Sequence, residues 1–188
     1  MKLPLVLFMC LLACPHVWAR QHLAPSYTIQ LPPAPNFNGL AWLAGQWSGK
    51  TAGAKPAGTV TLSVSYTLDR RFMLLHESVA LLATKAVPAT KEEFLGVLGA
   101  NPTGAGFALD LYSSRGFATR YQVTVKAAEI DFNPAGGRVA PAGWLFRRVI
   151  TRSSPDACTE SESVAPPGQP FFNYYTAVLR RSQAGGLN

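Results

Sequence analysis

An arginine set among large apolar residues is the feature of this sequence with the clearest chemical potential. In the segment from Trp144 to Ser153, alternate positions carry Trp144, Phe146, Arg148 and Ile150. If this segment is a strand, these side chains share one face. A guanidinium enclosed by apolar groups needs an anionic partner, and a ligand carboxylate can supply one through two parallel hydrogen bonds. This arrangement predicts a site for a small amphipathic, anionic molecule.

Two alternatives to an inward, ligand-binding Arg148 are favoured over it. In the first, Arg148 faces solvent and the opposite positions lie inward, namely Leu145, Arg147 and Val149. In the second, Arg148 pairs with Glu160 or Glu162, because opposite charges on adjacent strands often pair across the ladder.

Other candidate ligand-binding residues are a histidine and several aromatic side chains. His76 lies on an apolar segment in which both faces are apolar, so its orientation stays open, and we expect a hydrogen-bonded wall residue. It has no second histidine near it at the spacing of a zinc site. Tyr121, Tyr174 and Tyr175 are candidates to line or close a cavity, together with Phe146, although aromatic residues on strands are usually core residues first.

The motifs of common catalytic sites are missing from the sequence. It has no Gly-x-Ser-x-Gly elbow, no His-Glu-x-x-His and no phosphate-binding glycine loop. Glu92 and Glu93 are neighbours on a predicted strand, so they point to opposite faces and cannot share a substrate. We therefore predict a binding protein and not an enzyme, with no cofactor and no metal site.

The N-terminus has the pattern of a secretory leader. Met1-Lys2 precedes an apolar run, and Val17-Trp18-Ala19 suits signal peptidase. This predicts a signal peptide over residues 1–19 and a periplasmic or secreted protein. A minority alternative takes Cys14 as a lipidated cysteine that anchors the protein to a membrane.

Cleavage after Ala19 leaves Cys158 as the single cysteine of the mature chain. An internal disulfide is then excluded. We expect Cys158 to be a small buried residue at the start of a strand.

The balance of charge argues against a nucleic-acid partner. The chain has a formal net charge of +7, but its basic residues are scattered along the sequence. A nucleic-acid groove needs them clustered on one stripe. We expect a small-molecule partner, and the sequence leaves the oligomeric state open.

The chain between the leader and the strands divides into a lead-in and a short helix. Residues 20–37 contain four prolines and are predicted to be extended. Asn38 is predicted to cap a short helix that ends at Leu43, and Gly45 breaks it. The domain is predicted over residues 38–182, followed by a flexible tail at 183–188.

From Gly45 onward the apolar period changes to two. The segment from Gly58 to Leu68 alternates five times between apolar and polar residues, and Asp69-Arg70 is predicted to link it tightly to a returning strand. Ten strands are predicted in this way: 45–50, 58–68, 71–82, 93–100, 106–113, 117–125, 129–132, 144–153, 158–164 and 171–181. The segment Asn-Pro-Ala-Gly-Gly at 133–137 is predicted to be a turn.

Ten short strands joined by hairpin-sized turns favour one architecture. An open sheet of this length would leave two unpaired edges, and closure removes them. The predicted fold is an all-β, about ten-stranded antiparallel up-and-down barrel with a short N-terminal helix. A barrel of this size holds side chains and one small ligand.

The opening Leu-x-Gly-x-Trp-x-Gly at residues 43–49, the ten strands and the closing segment Leu179-Arg180-Arg181 resemble the calycin-like small barrels. These include lipocalins, fatty-acid-binding proteins, nitrobindin-like heme barrels and uncharacterised secreted bacterial families, to which the likeness is strongest. The resemblance implies a carrier of a small apolar or amphipathic molecule. An inward Arg148 is similar to the fatty-acid-binding solution.

Two further functions stay open beside the carrier. One is a structural or envelope-interaction barrel filled with its own side chains. The other is a heme or nitric-oxide-handling barrel, which is disfavoured because no histidine follows His76 to match the late heme ligand that nitrobindin-like barrels carry. In each case Gly45 and Trp47 are predicted to close one end of the barrel, with the indole packed across it.

Overall fold

Ten antiparallel strands close into one barrel. The structure, a computed structural model, describes residues 33–52, 57–102, 105–138 and 142–182. The strands are β1 (Gly45–Ala52), β2 (Gly58–Thr67), β3 (Phe72–Leu81), β4 (Thr90–Ala100), β5 (Phe107–Ser113), β6 (Ala118–Val125), β7 (Glu129–Arg138), β8 (Leu145–Ser154), β9 (Ala157–Ala165) and β10 (Phe172–Arg181).

Each strand pairs with its neighbours in sequence, and the first pairs with the last. The closing ladder between β1 and β10 runs from the pair Trp47–Arg181 to the pair Ala52–Thr176. The first and last strands therefore have no free edge, although the ladder between β7 and β8 covers only four residue pairs. The predicted all-β, ten-stranded antiparallel up-and-down barrel is confirmed.

Strict alternation decides which face of each strand points inward. On β2, Val60, Leu62 and Val64 are buried in the core, whereas Thr59 and Thr61 are exposed. The side chains of the even-numbered residues of this strand therefore point into the barrel, as a period of two requires.

The N-terminal helix is shorter than predicted. It is a single 3-10 turn, Ala41–Leu43. Its N-cap residue is Leu40, whose side chain makes no capping hydrogen bond. The predicted cap by Asn38 is therefore wrong. Phe37, predicted as the last residue of the lead-in, is buried and stacks on Phe107, so it belongs to the barrel core.

The connection between β2 and β3 has four residues, 68–71, and not the two predicted. Its first three residues, Leu68, Asp69 and Arg70, all have positive φ values, of 49°, 54° and 60°. Non-glycine residues rarely adopt this conformation, so the sequence carries no signal for it.

Strand β7 continues through the segment that was predicted as a turn. Residues 133–138 pair only with β6, because the ladder between β7 and β8 stops at the pair Phe132–Arg148. Pro134 lacks an amide donor, and a strand tolerates this where one edge is unpaired. A bulge opposite Arg120 and Tyr121 absorbs the extra residue of β7.

One end of the barrel is sealed by the 3-10 turn and by an arginine from the last strand. The Trp47 indole is 1% exposed and donates to the Leu43 carbonyl oxygen at 2.8 Å. Arg181 donates to the carbonyl oxygens of Trp42 and Ala44 at 2.7 Å each, and its guanidinium lies 4.2 Å from the Trp47 ring centroid. We call this region the closed end and define it by Leu40, Leu43, Gly45, Trp47 and Arg181.

Gly45 is required at the closed end for two reasons. Its φ is +132°, and a Cβ atom there would collide with the Arg181 guanidinium. Only glycine combines this backbone conformation with such a close approach.

The predicted leader at 1–19, most of the lead-in at 20–37 and the tail at 183–188 lie outside the described residues. Within the described ranges, no helix has the length and apolar character needed to cross a membrane.

Candidate functional site

A layer of charged side chains divides the barrel interior. On β3, Glu77 lies between the core residue Leu75 and Val79, and on β8, Arg148 lies between Phe146 and the core residue Ile150. Because alternate residues share a face, each of these charged groups points into the barrel. The layer, which we call the charged layer, consists of Glu77, Arg148, Glu160, Glu162 and Tyr175.

Arg148 lies at the centre of the charged layer. It is 4% exposed, and its Nη1 contacts the Glu77 carboxylate. Its Nε lies 3.2 Å from Glu160 Oε1 and 3.1 Å from Glu162 Oε2. Three carboxyl groups thus surround one guanidinium, which satisfies the demand of a buried charge for paired partners.

The Tyr175 hydroxyl completes this network from β10. It lies 3.3 Å from Glu77 Oε1 and 3.3 Å from Glu160 Oε1 and can donate to one of them at a time. Glu160 is 0% exposed, and its Oε2 has no hydrogen-bond partner within the described residues. An unpaired oxygen costs less on a neutral acid than on a carboxylate.

Burial shifts two of these acids toward the neutral form. Burial, and next the repulsion of Glu77, raises the pKa of Glu160 to about 8, against the attraction of Arg148. Burial likewise raises the pKa of Glu162 to about 7, again against Arg148. Near neutral pH both acids are therefore protonated in part of the population.

A cavity of about 490 Å³ lies beyond the charged layer, away from the closed end. Its inner wall includes Arg148, Glu162 and Tyr175 of the charged layer, together with Tyr121. The rest of its lining is mainly aromatic and aliphatic: Val79, Leu81, Phe94, Leu111, Phe117, Trp144, Phe146, Val164 and Tyr174. Its polar members are Thr90, Glu92, Ser113, Arg115 and Thr119. We call this region the open end. Apolar walls with a few convergent polar groups are typical of small-molecule sites of this volume.

A bulge in β10 adds a second tyrosine to the cavity wall. The register with β9 shifts between Asn173 and Tyr175, and Tyr174 lies at this shift. Successive strand residues normally point to opposite faces, but both Tyr174 and Tyr175 line the cavity. Their rings meet edge to face, with centroids 6.1 Å apart.

The predicted site residues Tyr121, Phe146, Arg148 and Tyr174 come together around this one cavity. For Arg148, the two possibilities that the sequence kept apart occur together. It points inward with Phe146 and Ile150, and it also pairs with Glu160 and Glu162. Protein carboxyl groups therefore supply the anionic partner that the guanidinium needs, as in the second alternative, and the anionic ligand stays a prediction.

His76 does not belong to this cavity. It is exposed on the outer wall, because Met73, Leu75 and Glu77 occupy the inward positions of β3. Its neighbours across the ladders are Ser63 and Leu95. His76 therefore lies outside this cavity, and its predicted role in ligand binding stays a prediction.

Sequence reasoning missed two residues of importance. Glu77 contacts Arg148 across 71 positions of the chain, and such a pairing has no local signal. One sequence signal was present: Glu77 alternates with Met73, Leu75 and Val79, so it is an acid on an otherwise apolar face of the strand. Arg181, which holds the closed end, was noted only as the end of the last strand.

The remaining reactive groups are buried or isolated. Cys158 is a free, buried thiol, and burial raises its pKa to about 12. This keeps it protonated, as expected for a small core residue. Across the described ranges, no three His, Cys, Asp or Glu side chains form a group suited to a metal ion.

Comparisons with known proteins show the fold but no family. No family model matches the sequence, and no curated protein matches it. The crystal structure of Rv2717c from M. tuberculosis matches 80% of this chain and 99% of that chain, with a TM-score of 0.58 and 20% sequence identity. At this identity the likeness is one of fold, that of a small β-barrel.

Proposed function

We propose that this protein is an exported calycin-like barrel that binds a small apolar or amphipathic molecule at its open end. The observation that carries the proposal is the cavity of about 490 Å³, which has aromatic walls and a charged floor. A barrel that served only as a structural module would gain stability by filling this space, because empty volume lowers the free energy of unfolding.

The cavity suits a ligand with an apolar body. Phe117, Trp144 and Phe146 offer large apolar surfaces to it, and Phe94 adds a ring near the charged layer, with its centroid 5.9 Å from the Arg148 guanidinium. Removing ligand surface from water against these rings contributes about 25 cal/mol per Å². The tyrosines and the charged layer then fix the orientation of the ligand's polar part.

Heme fits this donor set poorly. Among the described residues that line the cavity there is no histidine, cysteine or methionine, so a tyrosine would have to bind a heme iron there. Burial raises the pKa of Tyr121 well above its usual value, and Tyr175 is shifted in the same direction for the same reason. Deprotonation to a tyrosinate ligand is therefore disfavoured.

A fluorescence titration tests the proposed site directly. The neutral probe N-phenyl-1-naphthylamine brightens when it enters an apolar cavity. We expect saturable binding to the purified protein. Thr119→Trp, which adds a large ring to the cavity wall, should weaken binding at least about tenfold.

Thr124→Trp is the matched control, because Thr124 is exposed on the same strand. It should bind the probe as the wild type does. Equal binding by the wild type and Thr119→Trp would place the probe elsewhere. No binding by any of the three proteins would favour the structural barrel.

The cell address is part of the proposal and has its own test. The leader pattern at 1–19 supports export with cleavage after Ala19. N-terminal sequencing of the protein from cell fractions should find Arg20 as the first residue in a soluble fraction. A membrane-bound protein that begins at a lipidated Cys14 would support the minority alternative.

A further inference from the structure

We propose that the cavity selects a ligand whose polar head is a cationic hydrogen-bond donor, such as a primary ammonium group, over one that carries a carboxylate. This inference rests on the proposed function, since it concerns the polar head of a ligand bound at the open end. It comes from the balance of charges that face the cavity.

Both arginines that line the cavity are already engaged by protein carboxylates. Arg148 is surrounded by the three acids of the charged layer. At the mouth, the Arg115 Nε lies 3.2 Å from Glu92 Oε2. A ligand carboxylate would have to displace one of these acids, and the displaced acid would then lose its partner.

Carboxyl groups, in contrast, outnumber cations in the charged layer. Three acids face a single guanidinium in the charged layer. Glu162 lines the cavity, whereas Glu160, whose Oε2 has no hydrogen-bond partner within the described residues, is fully buried and is not part of the lining. A donor group that enters from the open end therefore meets the Glu162 carboxyl group, and a charge-assisted hydrogen bond to a carboxylate is among the stronger ones.

The groups that set the charge around Glu162 come from six strands. They are Glu77 on β3, Glu92 on β4, Tyr121 on β6, Arg148 on β8, Glu160 on β9 and Tyr175 on β10. Arg148 is the only cation among these six described groups, and Arg115 is paired with Glu92 at the mouth of the cavity. A bound ammonium group would add a second cation to the six groups and so favour the ionised form of Glu162 and Glu160.

Binding of the cation should therefore release protons from the protein. Both acids have raised pKa values in the free protein, so part of their population is protonated at neutral pH. An alkyl ammonium group stays charged throughout this range. Its affinity should increase as pH rises from about 6 to 8.

Three probes share a decyl chain and differ only in the head group, so they separate the effect of the head group on affinity from that of the apolar cavity. They are decylamine, decanol and decanoate, each used below its micelle concentration. Each competes with N-phenyl-1-naphthylamine at pH 8. We expect decylamine to bind at least about tenfold more tightly than decanoate, with decanol between them. Attraction to the outer surface would favour the opposite order, because the chain carries a net charge of +7.

Glu162→Gln should reduce the ratio of amine to carboxylate affinity at least about threefold. Glu129→Gln, which removes one acid from a position away from the cavity, should leave the ratio unchanged. If Glu162→Gln does not fold, calorimetry of the wild type in buffers of different ionisation enthalpy gives the second measurement. Release of protons on decylamine binding supports the inference, and its absence contradicts it.

The outcomes distinguish the inference from the proposed function. Binding of decanol together with equal or tighter binding of decanoate overturns the preference for a cation and leaves the carrier intact. Failure of all three probes to bind overturns the carrier and the inference with it.

Discussion

The two ends of this barrel are built by the same ten strands, yet they differ in what fills them. At the closed end, Leu43 and Trp47 are almost fully buried, and Arg181 fastens the 3-10 turn to the last strand. At the open end, Trp144 and Phe146 are only half-buried and border a cavity. The closed end therefore supplies more of the packing, and the open end leaves apolar surface uncovered, as the proposed ligand site requires.

The charged layer separates the two ends. A buried arginine with three acids contributes less to stability than an apolar core of equal volume would. Its place at the floor of the cavity gives it a second role, since it is the polar wall that a bound molecule would meet. Substitutions at the closed end and at the open end test whether the two ends differ in their effects on stability and on ligand binding.

The largest expected effect is at the closed end. Trp47→Ala should lower the free energy of unfolding by about 3–5 kcal/mol, because a fully buried indole leaves a cavity. Trp144→Ala, the matched change at the open end, should cost less than about 1 kcal/mol. Urea denaturation measures both. Similar losses for the two variants would contradict the division between the ends.

Breaking the charged layer comes next. Arg148→Met leaves the buried acids without their cation, which should cost about 3–5 kcal/mol at neutral pH. Arg120→Met removes an arginine from the exposed pair with Asp110 and should cost about 0–1 kcal/mol. If Arg148→Met loses no more free energy of unfolding than Arg120→Met, the stability of the charged layer does not depend on the Arg148 guanidinium.

The pH dependence of stability follows from the raised pKa values. Glu160 and Glu162 hold protons in the folded state up to about pH 8 and 7, whereas in the unfolded chain they lose them near pH 4.5. The folded state therefore binds more protons across this window, so stability should fall as pH rises from about 5 to 8. Acids whose pKa is lowered by pairing, such as Asp110, act only below this range.

Urea midpoints at pH 5 and pH 8 measure this effect. Glu160→Gln should have a smaller decrease between the two values than the wild type. A wild-type midpoint that rises with pH, or a variant with the same decrease, would contradict the assignment of raised pKa values to the charged layer.

The smallest expected effect concerns the aromatic wall. Phe146→Ala should weaken binding of N-phenyl-1-naphthylamine roughly fivefold, because it removes about half of a buried ring from the ligand's contact surface. Leu145→Ala, on the same strand but 47% exposed on the outer face, should leave the affinity unchanged. Equal effects of the two substitutions on probe affinity would show that the probe does not bind in the cavity.

The sequence was sufficient for the architecture because strand alternation is a local property. The residues Val60, Leu62 and Val64 predicted both a strand and its inward face. The errors lie where non-local contacts decide the backbone. Pro134 is typical of a turn, yet it lies within β7. The strand accommodates it because residues 133–138 pair on one side only, so the missing amide donor breaks no ladder on the other side.

The candidate site was predictable only in part for the same reason. Phe146, Arg148 and Ile150 share a face by alternation alone, whereas the contact of Arg148 with Glu77 depends on closure of the whole barrel. His76 could not be oriented because both faces of β3 are apolar enough to be core. The bulge that turns both Tyr174 and Tyr175 to the cavity has no sequence signal of its own.

The tryptophan indole resonances give the most direct test of the central claim, that a ligand binds at the open end and not at the closed end. Trp144 borders the cavity, while Trp42 and Trp47 pack edge to face at the closed end, 6.3 Å between centroids. In a ¹⁵N–¹H spectrum titrated with N-phenyl-1-naphthylamine, with Trp144→Phe used for assignment, we expect the Trp144 indole signal to shift. The Trp42 and Trp47 signals should stay in place. Shifts confined to Trp42 and Trp47, or no shift of Trp144 at saturation, would contradict the account.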